Sequence, residues 1–397
     1  MPLVISVIIP TMNRVETLKM CLDSLSQQTF SQFDVVVQND GGRDPQIDPN
    51  DYWYPLVYQY QENKGPATAR NNGAKVAKSD KLIFIGDDCI LDRGFVFRHW
   101  YSHSRDNQRK AVQGYTMFHP DCTTEFTTYL MESGIQSNYK ALQDKGGSWK
   151  SRADGFCLTT NFSIDRQLFE NAGGFNERFP HAAYEDVALG YSLSKIGVRT
   201  DFDPGAINWH LHRITFDSYI KRQQTEGKSR LILCLIHPEM SGNLIDPNSL
   251  RQARQLDLNE YILWAKELDH INGDDVKQQK YNRWGQVLQL ASLKGLLDGL
   301  NSYPNRAMRG IEHMHTPESV HHILSGIGGI EREDYSYSAH CCEWLVQNSS
   351  SNWAAFASAG ELSLYFDKNS SQEYFRQSMI LGSGEKWPKE RLEELSK

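Results

Sequence analysis

The sequence predicts an α/β fold, with a mainly parallel sheet flanked by helices and a mainly α-helical region after it. Three observations predict it. Short apolar, β-branched runs alternate with helical patterns over residues 4–91. Several of these runs are continuously apolar and end in polar residues, as buried parallel strands do. From about residue 216 onward, apolar residues recur three and four positions apart, which is typical of helices.

The first elements follow one another as strand, helix, strand, strand, helix, strand. VISVIIP (4–10) predicts the first strand, and Asn13 is expected to cap the helix after it. FDVVVQND (33–40) and LVYQYQ (56–61) predict the second and third strands. The Gly-Pro opening of GPATARNNGAKVA (65–77) favours a helix, and KLIFIGDD predicts the fourth strand. This order favours parallel strands with helices on the sheet faces.

The rest of the chain separates into a mixed region and a helical one. Residues 110–215 combine strand-like runs such as YTMFHP with a helical run that ends at Gly197. Residues 237–249 are rich in Gly, Pro, Asn and Ser and mark the expected boundary between domains at 1–240 and 241–397. No clean repeated period appears in the helical domain, so a helical-repeat architecture stays an alternative there.

Composition argues against nucleic-acid-binding and membrane-spanning proteins. The formal net charge of −7 disfavours bulk nucleic-acid binding. No run of 18 apolar residues appears, so a transmembrane segment is not expected. Peripheral membrane contact stays open through a basic cluster after residue 213: Lys221, Arg222, Lys228 and Arg230. Seven scattered cysteines without a C-x-x-C pair favour a reducing compartment, and hence a cytoplasmic location, which includes the inner face of the membrane.

Two adjacent aspartates, Asp87 and Asp88, directly follow the fourth predicted strand. Like charges repel, so they must stay hydrated or find a cation. Pro10 and Thr11 end the first strand, and Asp40 ends the second. The carboxyl ends of parallel strands lie at one edge of a sheet, where ligands bind. We therefore expect these residues to share a cleft suited to a nucleotide-like ligand.

Six motifs occur in one order: IIPTMNR, QNDGG, NKGPATARNNG, FIGDDCI, GGFNERFPHAAYEDVALGYSLSKIG and WHLHR. Over about residues 4–230 their order and spacing resemble the family 2 glycosyltransferases, which have the GT-A fold. The resemblance implies an enzyme of polysaccharide biosynthesis. Such an enzyme moves a sugar from a nucleotide-diphosphate sugar, expected to be a UDP-sugar, to an acceptor hydroxyl with inversion. The acceptor is left open between a glycan, a lipid-linked sugar, a protein and a small molecule.

The resemblance also implies a donor-binding pocket. Asp40 is expected to accept the N–H of the base, and Arg70 to pair with a phosphate. Gly65 would let the backbone approach the ligand closely. The implied donor-binding residues are Pro10, Thr11, Arg14, Asp40, Gly65, Arg70, Asn71, Asp87, Thr160 and Asn161.

Asp87 and Asp88 match the acidic metal-binding motif of that family, whose usual form is acid, any residue, acid. Gly86 replaces the first acid here, which leaves the dependence on metal open. The resemblance implies Asp88 as the direct ligand of Mn²⁺ or Mg²⁺, with Asp87 facing the ribose or a metal-bound water. His210 is implied to complete the metal shell. His212 is the alternative ligand, because side chains two apart on a strand share a face.

Glu185 and Asp186 open a predicted helix in YEDVALGYSL. Acids in a first turn also suit the helix dipole. The resemblance implies Asp186 as the general base that takes the proton of the acceptor hydroxyl, with Glu185 contacting the acceptor or the donor sugar.

Two other function classes compete with this hypothesis. A nucleotidyltransferase also uses an α/β sheet and acidic ligands, but IIPTMNRVET lacks a Gly-rich phosphate loop. A non-catalytic sugar- or protein-binding module could retain the same fold, since fold does not determine function. The helical domain has no readable chemistry, and its expected roles are a packed core, acceptor binding or homodimerisation.

Overall fold

The computed structural model describes residues 2–105, 109–137, 139, 148–150, 157–271, 273–382, 384 and 386–396. The chain divides into two compact units, Met1–Phe216 and Asp217–Lys397. This division differs from the expected boundary at 240/241 because the helix Phe216–Ile236 contributes Leu231 and Cys234 to the core of the second unit.

The N-terminal unit is built around one sheet. Its strands are β1 (Ile5–Thr11), β2 (Phe33–Asp40), β3 (Leu56–Gln61), β4 (Lys81–Ile85), β5 (Cys89–Leu91), β6 (Ala111–Phe118), β7 (Ser148–Lys150), β8 (Asn161–Asp165) and β9 (Arg199–His210). Its helices in the described residues are α1 (Val15–Ser26), α2 (Pro66–Val76), α3 (Phe95–Ser104), α4 (Glu125–Ser133), α5 (Arg166–Asn171) and α6 (Glu185–Lys195).

The strands are hydrogen-bonded in the order β3-β2-β1-β4-β8-β6-β9-β5, and β7 pairs with β9. The pairs β3–β2, β2–β1, β1–β4 and β6–β9 are parallel, whereas β8 runs antiparallel to both of its neighbours. The mainly parallel sheet flanked by helices, followed by a helical region, confirms the predicted fold class.

Alternation along β1 explains how helices cover both sheet faces. Ile5, Val7 and Ile9 join a core cluster with the apolar side of α1. Ile8 points the other way, into a second cluster with the small residues of α2. Because helices cover both faces, the polar residues at the ends of these strands lie at the edge of the sheet.

The predicted strands at 33–40 and 56–61 are confirmed, and the helix expected at 65–77 spans Pro66–Val76. The expectation that Asn13 caps α1 is wrong. Arg14 is the residue before the helix, and it makes no side-chain cap bond. Asn13 has a φ of 59°, and its Oδ1 accepts a hydrogen bond of 2.8 Å from the Arg43 amide, so it holds a neighbouring loop instead.

The second unit is helical in the residues described. Its helices are α7 (Phe216–Ile236), α8 (Ser241–Leu244), α9 (Pro247–Gln255), α10 (Leu258–Lys266), α11 (Asp274–Ser302), α12 (Pro317–Glu331), α13 (Tyr335–Asn348), α14 (Trp353–Ser363), α15 (Lys368–Ile380) and α16 (Lys386–Leu395), with a 3₁₀ helix at Arg306–His313. The hairpin expected from NWAAFASAGELSLYF and SQEYFRQSMILG is confirmed as α14 and α15. No helix of the described residues has the length and apolarity needed to span a bilayer.

The same kind of serine-to-glycine hydrogen bond occurs within each of two successive helical hairpins of this unit. Ser338 Oγ of α13 donates to the Gly326 carbonyl of α12 at 2.9 Å, and Ser371 Oγ of α15 donates to the Gly360 carbonyl of α14 at 2.8 Å. One helical turn later, Cys342 and Phe375 are buried at equivalent positions. The α12–α13 and α14–α15 hairpins therefore have this packing arrangement in common, although the sequence shows no clean period.

Candidate functional site

The acidic turn after β4 lies beside the end of β1. Asp87 and Asp88 are 6% and 4% exposed, so both carboxylates are buried. Thr11, the last residue of β1, donates its hydroxyl hydrogen to Asp87 Oδ2 at 2.7 Å. The carboxyl ends of these two parallel strands therefore meet, as the sequence predicts.

Gly86 has a steric reason to be glycine. A Cβ at this position would lie 2.7 Å from Asp88 Oδ1 and 3.5 Å from Cys89 Sγ. The missing first acid of the motif therefore leaves space for the Asp88 carboxylate.

Arg14 supplies a cation to both aspartates. Its Nη1 lies 3.3 Å from Asp87 Oδ1 and also donates to Asp88 Oδ2. The Arg14 side chain is 45% exposed, whereas the carboxylates that it contacts are buried. One half-exposed guanidinium thus offsets part of the repulsion between two buried like charges.

Two histidines at and just after the end of β9 complete this cluster. The last residue of β9, His210, is opposite Cys89 of β5 in an antiparallel pair. His210 Nε2 lies 3.1 Å from Asp88 Oδ1, and His212 Nδ1 lies 3.2 Å from Asp88 Oδ2. The Leu211 amide also donates to the Asp88 carbonyl at 2.7 Å, which fixes the segment between the histidines. Both alternatives for the imidazole therefore contact the same aspartate.

The two aspartates have opposite electrostatic environments. Burial and the charge of Asp88 raise the pKa of Asp87, despite hydrogen bonds from Thr11 and Arg14. Burial also acts to raise the pKa of Asp88, but the charge and hydrogen bond of His210, with His212 and Arg14, hold it well below its usual range. Asp88 is therefore the carboxylate that stays ionised, as a metal ligand must.

The Asp88, His210 and His212 side chains fit a divalent cation. One ligand atom from each lies within 4.8 Å of the others. Carboxylate oxygen and imidazole nitrogen are ligands that Mn²⁺ accepts, whereas Mg²⁺ prefers oxygen. The donor set therefore suits Mn²⁺ better than Mg²⁺.

Asp40 lies at the end of β2, next to β1 in the sheet. Its Oδ1 accepts hydrogen bonds from Gln61 Nε2 at 2.8 Å and from the Lys64 amide at 2.9 Å. These bonds orient the carboxyl group and connect β2 to the loop before α2. That loop ends at Gly65, whose φ of 90° is in the region that favours glycine.

Arg70 and Glu185 form a buried ion pair between α2 and α6. Arg70 Nη1 lies 2.9 Å from Glu185 Oε1, and both side chains are at least nine-tenths buried. Arg70 also lies over the Phe175 ring, 5.5 Å from its centroid. Buried Glu185 Oε2 and Arg70 Nε have no hydrogen-bond partner among the described residues. The pair positions the start of α6, and the contact of Arg70 with a phosphate stays a prediction.

Asp186 follows at the half-buried start of α6. The residue before the acidic pair, Tyr184, has a φ of 68°, a conformation that is uncommon outside glycine. Burial, with the nearby charge of Asp186, raises the pKa of the Cys157 thiol. Asp186, at the start of α6, therefore lies close to Cys157.

Asn71 and Asn161 are both engaged inside the protein. Asn71 exchanges hydrogen bonds with the Phe175 backbone and donates to Glu177 Oε1 at 2.8 Å, so it holds the loop before α6. Asn161 is 0% exposed; its Nδ2 donates to the Ala206 carbonyl, and its Oδ1 lies 2.8 Å from His99 Nε2. Asn161 is fully buried, whereas Asn71 is half-buried, and contact of either side chain with a donor stays a prediction.

Thr160 and Pro10 lie nearer to the acidic cluster. The Thr160 carbonyl accepts a hydrogen bond of 2.6 Å from Asn208 Nδ2 and a contact of 3.6 Å from Cys89 Sγ. Pro10 precedes Thr11 in β1 and is half-buried. Both stay candidates for lining the donor pocket.

Sequence reasoning missed the residues that support this site. Gln61 orients Asp40, and Phe118 stacks on the His210 ring with centroids 6.1 Å apart. Cys21 Sγ contacts the Gly86 carbonyl at 3.8 Å from beneath the acidic turn. Gln61 is the last residue of a predicted strand, which was a usable signal. Phe118 and Cys21 are apolar, so no signal in the sequence distinguishes them from ordinary core residues.

The comparisons with known proteins all find glycosyltransferases. The profile of Glycosyl transferase family 2 matches residues 6–173. Validoxylamine A glucosyltransferase of Streptomyces hygroscopicus subsp. jinggangensis is 29% identical over 220 residues, which cover 49% of this chain and 52% of that protein. Glycosyltransferase GlyG of Streptococcus pneumoniae is 25% identical over 183 residues, covering 44% and 60%. The chain thus spans less than two thirds of the length of these relatives.

Among solved structures, a mannosyltransferase from Pyrobaculum calidifontis in complex with GDP-Man and Mn²⁺ aligns with 75% of this chain and 88% of its own. The identity is 17% and the TM-score is 0.49, so this likeness does not by itself establish a shared fold. The family profile covers the strands that end at Thr11 and Asp40, and also the acidic turn with Asp87 and Asp88 that follows β4. Residues 6–173, which make up most of the N-terminal unit, are therefore similar to glycosyl transferase family 2.

Proposed function

We propose that the N-terminal unit transfers a sugar from a nucleotide-diphosphate sugar to an acceptor hydroxyl, with inversion at the anomeric carbon. The observation that carries this proposal is the cluster in which Arg14, His210 and His212 all contact Asp88 at the carboxyl-end edge of the sheet. Such an edge is where α/β sheets bind nucleotides. The match of residues 6–173 to the profile of Glycosyl transferase family 2 supports the same class of reaction.

The donor is proposed to lie along the ends of β1 and β2. Asp40 would accept the base N–H through the oxygen that Gln61 and Lys64 leave free. Thr11 and Pro10 would line the same pocket, and Asp87 would face the ribose. We propose UDP as the nucleotide, since uracil offers an N–H donor to a carboxylate.

Asp88, His210 and His212 are proposed to hold a divalent cation, with Mn²⁺ favoured over Mg²⁺ by the two imidazoles. When bound, such an ion supplies positive charge that stabilises the leaving diphosphate. The chain itself keeps Asp88 ionised and orients both rings toward it.

Asp186 is proposed as the general base. A carboxylate at the half-buried start of α6 can accept the proton of an acceptor hydroxyl as that oxygen attacks the anomeric carbon. Glu185 is proposed as a positioning residue, because its pairing with Arg70 holds it within the protein.

The helical unit is proposed to bind the acceptor or a second copy of the chain. The acceptor is a glycan, a lipid-linked sugar, a protein or a small molecule. A reducing, cytoplasmic setting is proposed because all seven cysteines are free and buried.

The proposal is tested by nucleoside-diphosphate release from UDP-glucose, UDP-galactose, UDP-N-acetylglucosamine and GDP-mannose, with EDTA, Mg²⁺ or Mn²⁺ present. We expect release from a UDP-sugar that is fastest with Mn²⁺. Diphosphate production from a nucleoside triphosphate would indicate a nucleotidyltransferase instead. Binding of a UDP-sugar without release, in the presence of a panel of acceptors, would favour a non-catalytic module.

The base assignment is tested with Asp186→Asn. Loss of a general base typically costs about 10²–10⁴-fold in rate, and donor affinity should stay within about twofold. Asp80→Asn, an exposed aspartate at the start of β4, is the matched control and should leave the rate unchanged. Transfer by Asp186→Asn at the wild-type rate would exclude Asp186 as the base.

A further inference from the structure

Arg14 and a divalent cation would compete for the same carboxylates. The guanidinium contacts Asp87 Oδ1 at 3.3 Å and also Asp88 Oδ2, the oxygen that His212 Nδ1 approaches at 3.2 Å. Both aspartates are buried, so a nearby positive charge is needed to offset their repulsion. A metal ion held by Asp88 and the histidines would supply that charge at almost the same place.

Two like charges at such short range repel each other strongly, so the guanidinium and the ion are not expected to share Asp88. Arg14 has room to leave, because its side chain is 45% exposed and lies just before the first turn of α1. Its side-chain hydrogen bonds are to Asp87 and Asp88, so its departure breaks no other part of the described fold. The aspartates stay in place through Thr11, His210 and the Leu211 amide.

We propose that Arg14 is an internal counter-ion that a divalent cation displaces from Asp88, and that the released guanidinium then binds the donor diphosphate. This inference rests on the proposed function, because it assigns Arg14 a role in that same site. Arg14 would lower the affinity for the free ion and raise the affinity for the ion together with a nucleotide. Gly86 fits this role, since a second acid at that position would hold the ion without help from a nucleotide.

This exchange, in which a divalent cation displaces Arg14 from Asp88, predicts that replacing Arg14 has opposite effects on the affinities for Mn²⁺ and for UDP. Arg14→Met removes the charge but keeps much of the length of the side chain. We expect it to bind Mn²⁺ at least about tenfold more tightly than wild type, as measured by electron paramagnetic resonance of the free ion. We expect the same variant to bind UDP at least about tenfold more weakly at saturating Mn²⁺, as measured by calorimetry.

Three further variants serve as controls. Arg43→Met removes the same charge from an exposed neighbouring position and should change both affinities less than twofold. Asp88→Asn should abolish the Mn²⁺ binding, which shows that the ion counted is the one at this site. Arg14→Lys keeps a charge but has no planar fork, so both of its affinities should fall between wild type and Arg14→Met.

Unchanged or weaker Mn²⁺ binding by a folded Arg14→Met, or no Mn²⁺ binding by both wild type and variant, would overturn the inference. If Arg14 only held the turn in place, Arg14→Met would weaken both affinities together. The two proposals fail separately. A wild-type enzyme that transfers sugar while Arg14→Met shows no shift overturns only the exchange. The predicted pair of shifts in a protein that transfers no sugar overturns only the proposed function.

Discussion

The edge of the sheet and the tandem hairpins of the helical unit bury polar groups in different ways. At the sheet edge, the contacts join distant parts of the chain: Arg14 and Asp88 are 74 residues apart, and Asp88 and His212 are 124 apart. In the hairpins, Ser338 reaches Gly326 over 12 residues and Ser371 reaches Gly360 over 11. These contacts join charged groups in the first region and neutral groups in the second.

This difference distinguishes the region that holds the proposed catalytic groups from a region that is stabilised by contacts between residues near in sequence. Closing a long loop costs more conformational entropy than closing a short one, so distant contacts form only when many elements are already packed. Buried charges also need their partners in place, because an unpaired buried charge is costly. The contacts at the sheet edge therefore depend on the whole N-terminal unit, whereas each serine-to-glycine hydrogen bond closes between two adjacent helices.

The largest expected effect comes from breaking the Arg70–Glu185 pair. Arg70→Met leaves the buried Glu185 without its cation, which should lower the free energy of unfolding of the N-terminal unit by about 3–5 kcal/mol. Hydrogen exchange of the β1 and β4 amides, followed by mass spectrometry, measures this change within that unit.

The matched control is Arg222→Met in α7, whose partner Glu226 is one turn away and whose side chain is 47% exposed. An exposed pair contributes less than about 1 kcal/mol, so exchange in the helical unit should change little. Replacing Arg70 and Glu185 together by Met should recover much of the loss. Equal losses for Arg70→Met and Arg222→Met would contradict the contrast between the two regions.

A second expected effect is a pH dependence of the sheet unit. Burial lowers the pKa of His99 to about 4 and that of His103 to about 3, from 6.5. Between pH 6.5 and the folded values, the unfolded chain binds protons at these histidines and the folded chain does not. The free energy of unfolding should therefore fall by about 2 kcal/mol per histidine as the pH is lowered from 7 to 5.

Hydrogen exchange in β8, where Ser163 contacts both histidines, measures this slope once it is corrected for the intrinsic exchange rate. His103→Gln should remove about half of the slope, and the exposed His181→Gln should leave it unchanged. An equal stability at pH 7 and pH 5 would show that these histidines are protonated in the folded protein.

The smallest expected effect tests the equivalence of the hairpins. Ser338→Ala and Ser371→Ala each remove one buried hydroxyl that donates to a glycine carbonyl, at a cost of about 1 kcal/mol apiece. Hydrogen exchange in α12 and α14 should report similar losses, each confined to its own hairpin. A loss from Ser371→Ala that spread equally to α12 would argue against local stabilisation.

Local sequence patterns predict the helices and strands better than they predict which side chains contact one another. The apolar runs predicted β2 and β3 at their observed bounds, because strand formation and burial are written into neighbouring residues. The convergence of Thr11 and Asp87 followed from parallel pairing alone. The resemblance implies one imidazole ligand, either His210 or His212. The structure brings both histidines into contact with Asp88, so it does not choose between them.

Side-chain partners across long separations could not be predicted in the same way. Glu185 pairs with Arg70, and His99 contacts Asn161; the sequence predicts neither of these partners. Which distant carboxylate or imidazole meets a given side chain depends on the path of the chain through several elements. Local periodicity contains no such information. Residues 151–156 of the predicted strand and turn SRADGFCLTTNFSI lie outside the described residues.

The serine-to-glycine contacts of the helical unit have a mechanical consequence. Because the α12–α13 and α14–α15 hairpins are each closed internally, their rupture need not be simultaneous. Under a pulling force applied at Lys397, α16 and then the α14–α15 hairpin should detach before α12–α13. Under force, this unit should therefore unfold in several small steps, whereas a sheet held by contacts between distant residues would unfold in a single step.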